Sequence, residues 1–414
     1  MTIQAIRGHV RRADIEAAPD RRKTDSASAV MLAALDHGPV ARSTIARLAG
    51  LSPAAVSRQC ADLIRHGLLR EVPERETEGA PAGKLGRPHV PVDLDVAGPV
   101  VGGVHIAVQH ATVSLADLRG RVIASERIPH AAPDPGPVLD LVAARLRDLA
   151  AGRGRRARVL GIGVAAGGWV DSAAGVIADH PLLGWRDVHV RALLEERTGL
   201  RVRVDGHSRA LARAEQLLGD QRARSSVVHL FAGNVVDAAF AVGGVMQHGP
   251  RSAAGTIAHL PLPGQPLPGQ PLPGQGGRCG CGRSGCLQAV VSERALAARA
   301  AAAGVVREPS FALLLEAAMA GHPAAVAMFW QRARAVGAAA AVLLDLLNPE
   351  VLVVVEAGAM YVPGCLEVLR AEARRQSAGT GEPPITVTSF GRDVLPIAAG
   401  TVMLSEIYAN PLAI

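Results

Sequence analysis

Beyond Val90 the chain alternates short apolar runs, at 100–104, 159–164, 227–231 and 351–355, with long segments rich in Ala, Arg, Leu and Glu. Apolar runs of strand length, separated by helical segments, predict an α/β body whose sheets are covered by helices. Aromatic residues make up only 2% of the chain, so the cores must be built from Ala, Val, Leu and Ile. At 414 residues the chain exceeds one ordinary domain, and two or three folding units are expected.

The text before residue 90 is different. Residues 1–25 carry mixed charge with little periodicity and read as a flexible arm. Residues 26–72 are compact and helical. A first helix places Val30, Leu32, Ala33 and Leu35 inward and ends near Gly38-Pro39. A second, about 41–49, presents Ile45, Leu48 and Ala49 and stops at Gly50. The third has Ser52 as N-cap and Pro53 at the first helical position, where a missing amide costs nothing. Val56, Cys60, Leu63 and Ile64 form its inner face, and a short strand over 68–72 follows Gly67. Two helices joined by a tight Gly-containing turn, then a strand, match a winged helix-turn-helix; a plain three-helix bundle is the alternative.

The outer face of the third helix offers Ser52, Ala54, Ala55, Ser57, Arg58 and Gln59, small or hydrogen-bonding residues that suit close entry into a DNA major groove. Arg42, Arg47, Arg58, Arg65 and Arg70 supply charge for phosphates. Residues 73–92 read as a linker rich in Glu, Gly, Pro and Ala. Near its end Gly86-Arg87-Pro88 holds Arg87 in a stiffened segment able to enter a minor groove, although a generic turn fits the same residues. The net charge of +7 points the same way, but an Arg-, Ala- and Gly-rich composition is also what a GC-rich genome imposes. No run of about 18 apolar residues suggests a membrane span. Residues 1–23 lack the apolar core of a secretion signal, so the cytoplasm is expected.

Two of the five cysteines, Cys60 and Cys365, stand alone in apolar contexts and read as core residues. The others form Gly277-Arg-Cys279-Gly-Cys281-Gly-Arg-Ser-Gly-Cys286-Leu-Gln288. Three thiolates separated by glycines can converge on one tetrahedral ion, and His259 is the nearest candidate fourth ligand upstream. Between them Pro-Leu-Pro-Gly-Gln occurs three times in tandem from Pro261 to Gln275, which reads as a surface loop lengthened by repetition.

These motifs together resemble the ROK family of sugar kinases and sugar-responsive repressors. The resemblance rests on the helix-turn-helix followed by Gly86-Arg87-Pro88, on His180-Pro-Leu-Leu-Gly-Trp185, on Gly255-Thr-Ile-Ala-His259, on the cysteine cluster, and on Asn348-Pro349-Glu350 before an apolar strand. It implies an N-terminal winged helix-turn-helix followed, over 93–414, by a two-lobed actin-like (ribonuclease H-like) sugar-kinase fold. It implies structural zinc on His259, Cys279, Cys281 and Cys286, and a homodimer or homotetramer bound to double-stranded DNA.

The resemblance also marks departures. Phosphoryl transfer is mostly positioning plus charge stabilisation. Where ROK kinases carry an Asp-X-Gly-X-Thr-like turn, this chain has His105-Ile-Ala107-Val-Gln109, and a second Gly-rich loop matches Gly233-Asn-Val235-Val-Asp237. The Asn-Asp pair holding the catalytic acid becomes Gly206-His207. Family sugar contacts match Gly206, His207, Thr256, His259 and Gln288, of which only the second His is retained. The expectation is a regulator whose body senses a sugar-like ligand, or a different one, without phosphorylating it. A sugar kinase with an accessory DNA-binding module is the alternative.

Overall fold

The computed structural model describes residues 26–73, 90–130, 134–153, 158–261 and 279–413. Arg87 with its Gly and Pro neighbours, residues 1–25, and the Pro-Leu-Pro-Gly-Gln repeat beyond Pro261 lie outside them. The chain divides into two compact units, Met1–Leu94 with Tyr408–Ile414, and Asp95–Ile407.

The first unit contains α1 (Ser26–His37), α2 (Arg42–Ala49), α3 (Pro53–Arg65), β1 (Leu69–Glu71) and β2 (Val92–Leu94). Gly50 closes α2 in the left-handed conformation (φ 65°), which lets the chain turn at once into α3. Ser52 caps α3 by accepting from the Ala55 amide at 3.2 Å, with Pro53 in the first turn, as expected. β1 and β2 pair antiparallel, Leu69 opposite Leu94 and Glu71 opposite Val92, and Val92 also exchanges both backbone hydrogen bonds with Val40. Three helices and a two-stranded antiparallel sheet make up this unit.

The sequence reading needs three corrections in this unit. The segment taken as a linker ends inside the hairpin, because residues 92–94 find their partners in residues 69–71; the chain from 408 onward groups with this unit too. In α1 the inward stripe is Ala27, Val30, Met31 and Ala34, an i, i+3, i+4, i+7 set, whereas Leu32 and Leu35 are only half-buried. Alanine and methionine supply the stripe in a helix apolar nearly all round, so the larger leucines gave no guide to the buried side. Leu48 is 44% exposed and Ile64 half-buried, leaving Ile45 as the one buried residue of α2.

The second unit holds two five-stranded sheets of identical topology. In the first, β3 (Pro99–Ile106), β4 (His110–Ala116) and β5 (Val122–Pro129) form an antiparallel meander. After α4 (Pro135–Ala151), β6 (Arg158–Ala166) joins parallel to β3. The chain then makes a small sheet of β7 (Trp169–Asp171), β8 (Val176–His180) and β9 (Trp185–Val188), passes through α5 (Val190–Thr198), and adds β10 (Val202–Gly206) parallel to β6. After α6 (His207–Leu218) the second lobe repeats the plan. β11 (Ser226–Ala232), β12 (Val236–Val242) and β13 (Val245–Met246) form the meander, and α7 (Leu287–Val291), α8 (Glu293–Ala302), α9 (Phe311–Met319) and α10 (Pro323–Leu347) follow. Next come β14 (Val351–Val355), α11 (Ala357–Tyr361), α12 (Cys365–Gln376), β15 (Ile385–Val387) and α13 (Val394–Ala409). Numbered along each lobe, both sheets have the order 3-2-1-4-5. The four apolar runs singled out above are β3, β6, β11 and β14, the first and fourth strands of each lobe.

Helices α6 and α13 lie between the sheets. Ala165, Ala210, Leu211, Val355, Ala398, Ala399 and Val402 form one buried cluster there. Small residues are obligatory at this seam: a side chain on Gly163 would lie 2.1 Å from the Ala399 carbonyl oxygen, and one on Gly103 2.9 Å from the Gly400 amide. The helix therefore seats against bare backbone, which brings the two lobes close at the floor of the cleft. Cys60 and Cys365 are fully buried core residues, as read. Among the described residues no single helix is long and apolar enough to cross a membrane.

Candidate functional site

In the N-terminal unit the outer side of α3 leaves Ser52, Ala54, Ser57 and Arg58 exposed and Ala55 and Gln59 half-buried. The inner side buries Val56, Cys60 and Leu63. Helical periodicity thus puts every residue named for a major groove outside the core. Ser52 also carries the helix cap. Arg42 differs: its Nη2 lies 2.6 Å from Glu71 Oε1, so α2 is tied to the first strand of the hairpin.

In the second unit, strand ends of both lobes surround a cavity of about 880 Å³. Gly206, Thr256, His259 and Gln288 line it, together with Ser208, Arg209, Asn234, Asp237, Arg294 and Arg299. His207 does not line it, correcting its reading as a ligand contact. As the first residue of α6 it turns inward, 4% exposed, with its ring 4.1 Å from that of Phe231 and its Nε2 3.6 Å from Asp237 Oδ1. Gln288 lines the cavity but its amide is spent: Oε1 accepts from the Val236 amide at 3.0 Å and Nε2 donates to the Asn234 carbonyl at 2.9 Å. It straps the 233–237 turn shut. The Thr256 hydroxyl likewise donates to the Ala253 carbonyl at 3.0 Å.

Both turns read as eroded phosphate loops sit at hairpin ends, between β3 and β4 and between β11 and β12. They bring together His105, His207, His229 and Asp237. On β11, His229 and Phe231 lie opposite Ala239 and Asp237 of β12, so all four share one sheet face beneath α6. The rings of His105 and His207 stack at 5.8 Å. His105 and His229 are 3% and 0% exposed, and neither ring nitrogen of either has a hydrogen-bond partner among the described residues. Burial drives both imidazoles toward the neutral form, His105 well below 6.5 and His229 down to about 3. Burial alone would raise the Asp237 carboxyl, but the facing His207 and the Ser208 hydroxyl, which donates to Oδ1, hold it below the usual range. No sequence signal marked His229, since an isolated His in an apolar strand has no pattern.

Behind the cavity Asp205 is 3% exposed and accepts from Arg209 Nε at 2.5 Å, Ser172 Oγ at 2.6 Å and Arg213 Nε at 3.3 Å. The two guanidiniums keep its carboxyl ionised despite burial. It serves as an anchor, in keeping with the reading that it does not replace the family's acid.

The cysteine motif folds as expected. Leu287 and Gln288 donate backbone hydrogen bonds to Leu260 and Ala258, pinning the His259 segment against Cys286. One donor atom each of His259, Cys279, Cys281 and Cys286 lies within 4.8 Å of all the others, with Cys279 Sγ 3.4 Å from His259 Nδ1 and Cys281 Sγ 3.6 Å from Cys286 Sγ. Ligands at about 2.3 Å (S) and 2.0 Å (N) from a tetrahedral ion stand roughly 3.5–3.8 Å apart, so the four donors fit one metal ion.

Residues 101–392 match the ROK family. The chain belongs to that family. A transcriptional regulator of Mycobacterium tuberculosis is 36% identical over 400 residues, spanning 95% of this chain and 88% of its own. The DNA-binding transcriptional repressor Mlc of Escherichia coli is 25% identical over 244 residues, 58% of each chain. Among solved structures, a ROK family transcriptional regulator described as a homologue of the E. coli Mlc protein superposes with a TM-score of 0.77 at 23% identity, covering 95% of this chain and 98% of that one. A ROK glucokinase from Streptomyces griseus, in complex with glucose and AMPPNP, gives 0.62 at 24% identity over 73% of this chain and 98% of that one. The body is therefore the actin-like sugar-kinase fold.

Imidazoles neutral in the fold but ordinary in the unfolded chain make acid destabilising, because the unfolded state takes up protons first. Stability should be full above pH 6.5 and fall as pH drops toward the folded values, about 3 for His229. Each such imidazole costs about 1.4 kcal/mol per pH unit in that window. In urea titrations at pH 7.5 and 5.5, H229L should therefore lose about 1.4 kcal/mol less than the parent between the two conditions. An identical loss in both proteins would mean that His229 is not held neutral.

Proposed function

We propose that this ROK protein is a sequence-specific DNA-binding transcriptional regulator, a repressor, whose kinase-like body binds a sugar-related ligand and does not phosphorylate it. The observation that carries the reading is the third helix of the winged unit, capped at Ser52 and presenting small residues and Arg58 on its free face. Arg58 and Ser57 read base edges, while Ser52, Ala54 and Ala55 allow close approach. Arg42, already paired with Glu71, steadies the hairpin and supplies phosphate charge from there. Arg87 adds a minor-groove contact. A relative aligned over 95% of the chain is named a transcriptional regulator, which supports the assignment. The protein acts in the cytoplasm as a homodimer or homotetramer, so its operator is a rough palindrome.

The arrangement of the cleft supports the absence of phosphoryl transfer. A kinase needs an acid on the acceptor hydroxyl and backbone amides around the phosphates. Here His207 is turned away from the cavity, Gln288 closes the second loop, and Asp237 places a carboxylate where phosphate charge would have to settle. Gly206, Thr256 and His259 remain on the cavity wall for a polyol. The metal is zinc, held by His259, Cys279, Cys281 and Cys286 in a closed structural site. Bound there it would supply no chemistry beyond fastening the wall of the cavity.

Replacing Arg58 by Ala should weaken binding to the selected operator by about 1–3 kcal/mol and relax preference at one base position, measured by titration against operator and mismatched duplexes. Unchanged affinity and unchanged preference would remove Arg58 from base readout. Incubation with ATP and a panel of hexoses should yield no sugar phosphate; turnover at ordinary enzyme rates of about 1 s⁻¹ or more would overturn the non-enzymatic reading. Metal analysis should find about one zinc per chain, and C281S should lose it together with part of the thermal stability. Protein purified without chelator and free of metal would contradict the zinc site.

A further inference from the structure

The charges on the cavity wall do not balance. Asp237 is occupied by the Ser208 hydroxyl and faces His207, and Asp179 at the rim stands 3.8 Å from Arg186. Arg209, 6% exposed, is consumed by Asp205 and by the carbonyls of Ser252 and Val170. Among the described residues that line the cavity two guanidiniums are left over, Arg294 and Arg299, both on α8.

The cavity side of that helix reads Arg294, Ala295, Ala298, Arg299, Ala302. Alanines keep the wall open between the two arginines. Arg299 is half-buried and donates once, from Nη2 to the Val290 carbonyl at 2.9 Å. Neither Arg294 nor Arg299 has a carboxylate partner among the described residues. Neighbouring Glu293 does not fill that role: its carboxylate accepts from Asn234 Nδ2 at 3.2 Å, and burial raises its pKa toward the uncharged form. Burial and the nearby Arg332 also pull the Arg299 pKa below its ordinary value, the mark of a cation without its counter-ion. A half-buried guanidinium with donors to spare at the edge of a cavity is a site for an oxyanion, which it can grip through two parallel N–H bonds.

We propose that Arg294 and Arg299 form an anion subsite, so that the ligand of this cavity is a small polyol carrying a phosphate or a carboxylate. The inference rests on the reading that the body binds a sugar-related ligand and narrows its class. The cavity of about 880 Å³ has room for more than one hexose ring. Thr256, Asn234 and His259 offer polar contacts along its wall, while the anion sits at α8. A phosphate already present on the ligand also fits a body that installs none.

Isothermal titration calorimetry of the full-length, zinc-loaded protein with glucose, glucose 6-phosphate and glucuronate tests this. The anionic sugars should bind roughly ten- to a hundredfold more tightly than glucose, the worth of one charge-assisted pair. R294A with R299A should abolish that margin and leave glucose affinity unchanged. R294E, a change at an exposed position that spares the half-buried Arg299, should by itself lower the affinity for the anions. R299K should keep part of the margin, separating charge from fold. Glucose binding as tightly as both anions, or an anion preference untouched by R294E and the double variant, would overturn the subsite while leaving the sugar reading intact. Binding of none of the three would overturn both. Phosphate alone or carboxylate alone bound tightly identifies which oxyanion is the natural one and supports the proposal.

Discussion

The guanidinium of Arg209 lies buried between the lobes, and its donors reach in three directions. Its Nε meets Asp205 at the end of β10, one terminal nitrogen reaches the Val170 carbonyl of β7, and the other reaches the Ser252 carbonyl beyond β13. Ser172 and Arg213 complete the shell around Asp205. An unpaired charge in such a place costs about 3–5 kcal/mol, so the partners hold each other at fixed distances. The back wall of the cavity is built on this cluster, while α13 presses on bare backbone at Gly103 and Gly163. The second lobe has a parallel device in its own core, where Arg332 pairs with Glu356 and also donates to the Val291 and Ala232 carbonyls. Each lobe is rigid for its own reason, and the cavity inherits its shape from both.

What could be read from the sequence was local. Ser52 and Pro53 announce the start of α3 because a cap and a first-turn proline act within four residues. The four apolar runs announce four strands because their burial is uniform. The cysteine spacing announces a metal cluster because three of the ligands are eight residues apart or less. What could not be read depended on partners distant in sequence. His207 faces Phe231 and Asp237 instead of the cavity; residues 92–94 pair with 69–71; the buried side of α1 is chosen by what packs against it. Arg294 and Arg299 carried no signal, since two arginines five apart in an alanine-rich helix are ordinary. Only the cavity beside them gives them meaning.

The family's fold thus encloses a cleft whose interior polar groups are largely spent on one another. Three imidazoles, on β3, β11 and the start of α6, and the Asp237 carboxylate of β12 meet beneath α6. Neutral histidines without partners are costly residues in a core. Here they stand near the end of β3 and in the middle of β11, beneath α6. The His259, Cys279, Cys281 and Cys286 cluster stands at the edge of the cavity, where three backbone segments meet.

The strap formed by Gln288 has an architectural consequence. Its amide clasps the 233–237 turn, its backbone is held by Ala258, and Cys286 lies two residues before it. The cysteine cluster, the cavity wall and the 233–237 turn are therefore members of one truss. Reinstating an acid at position 207 would leave the strap closed and the ring pocket beside Phe231 to be refilled, so one substitution there would not reopen the 233–237 turn.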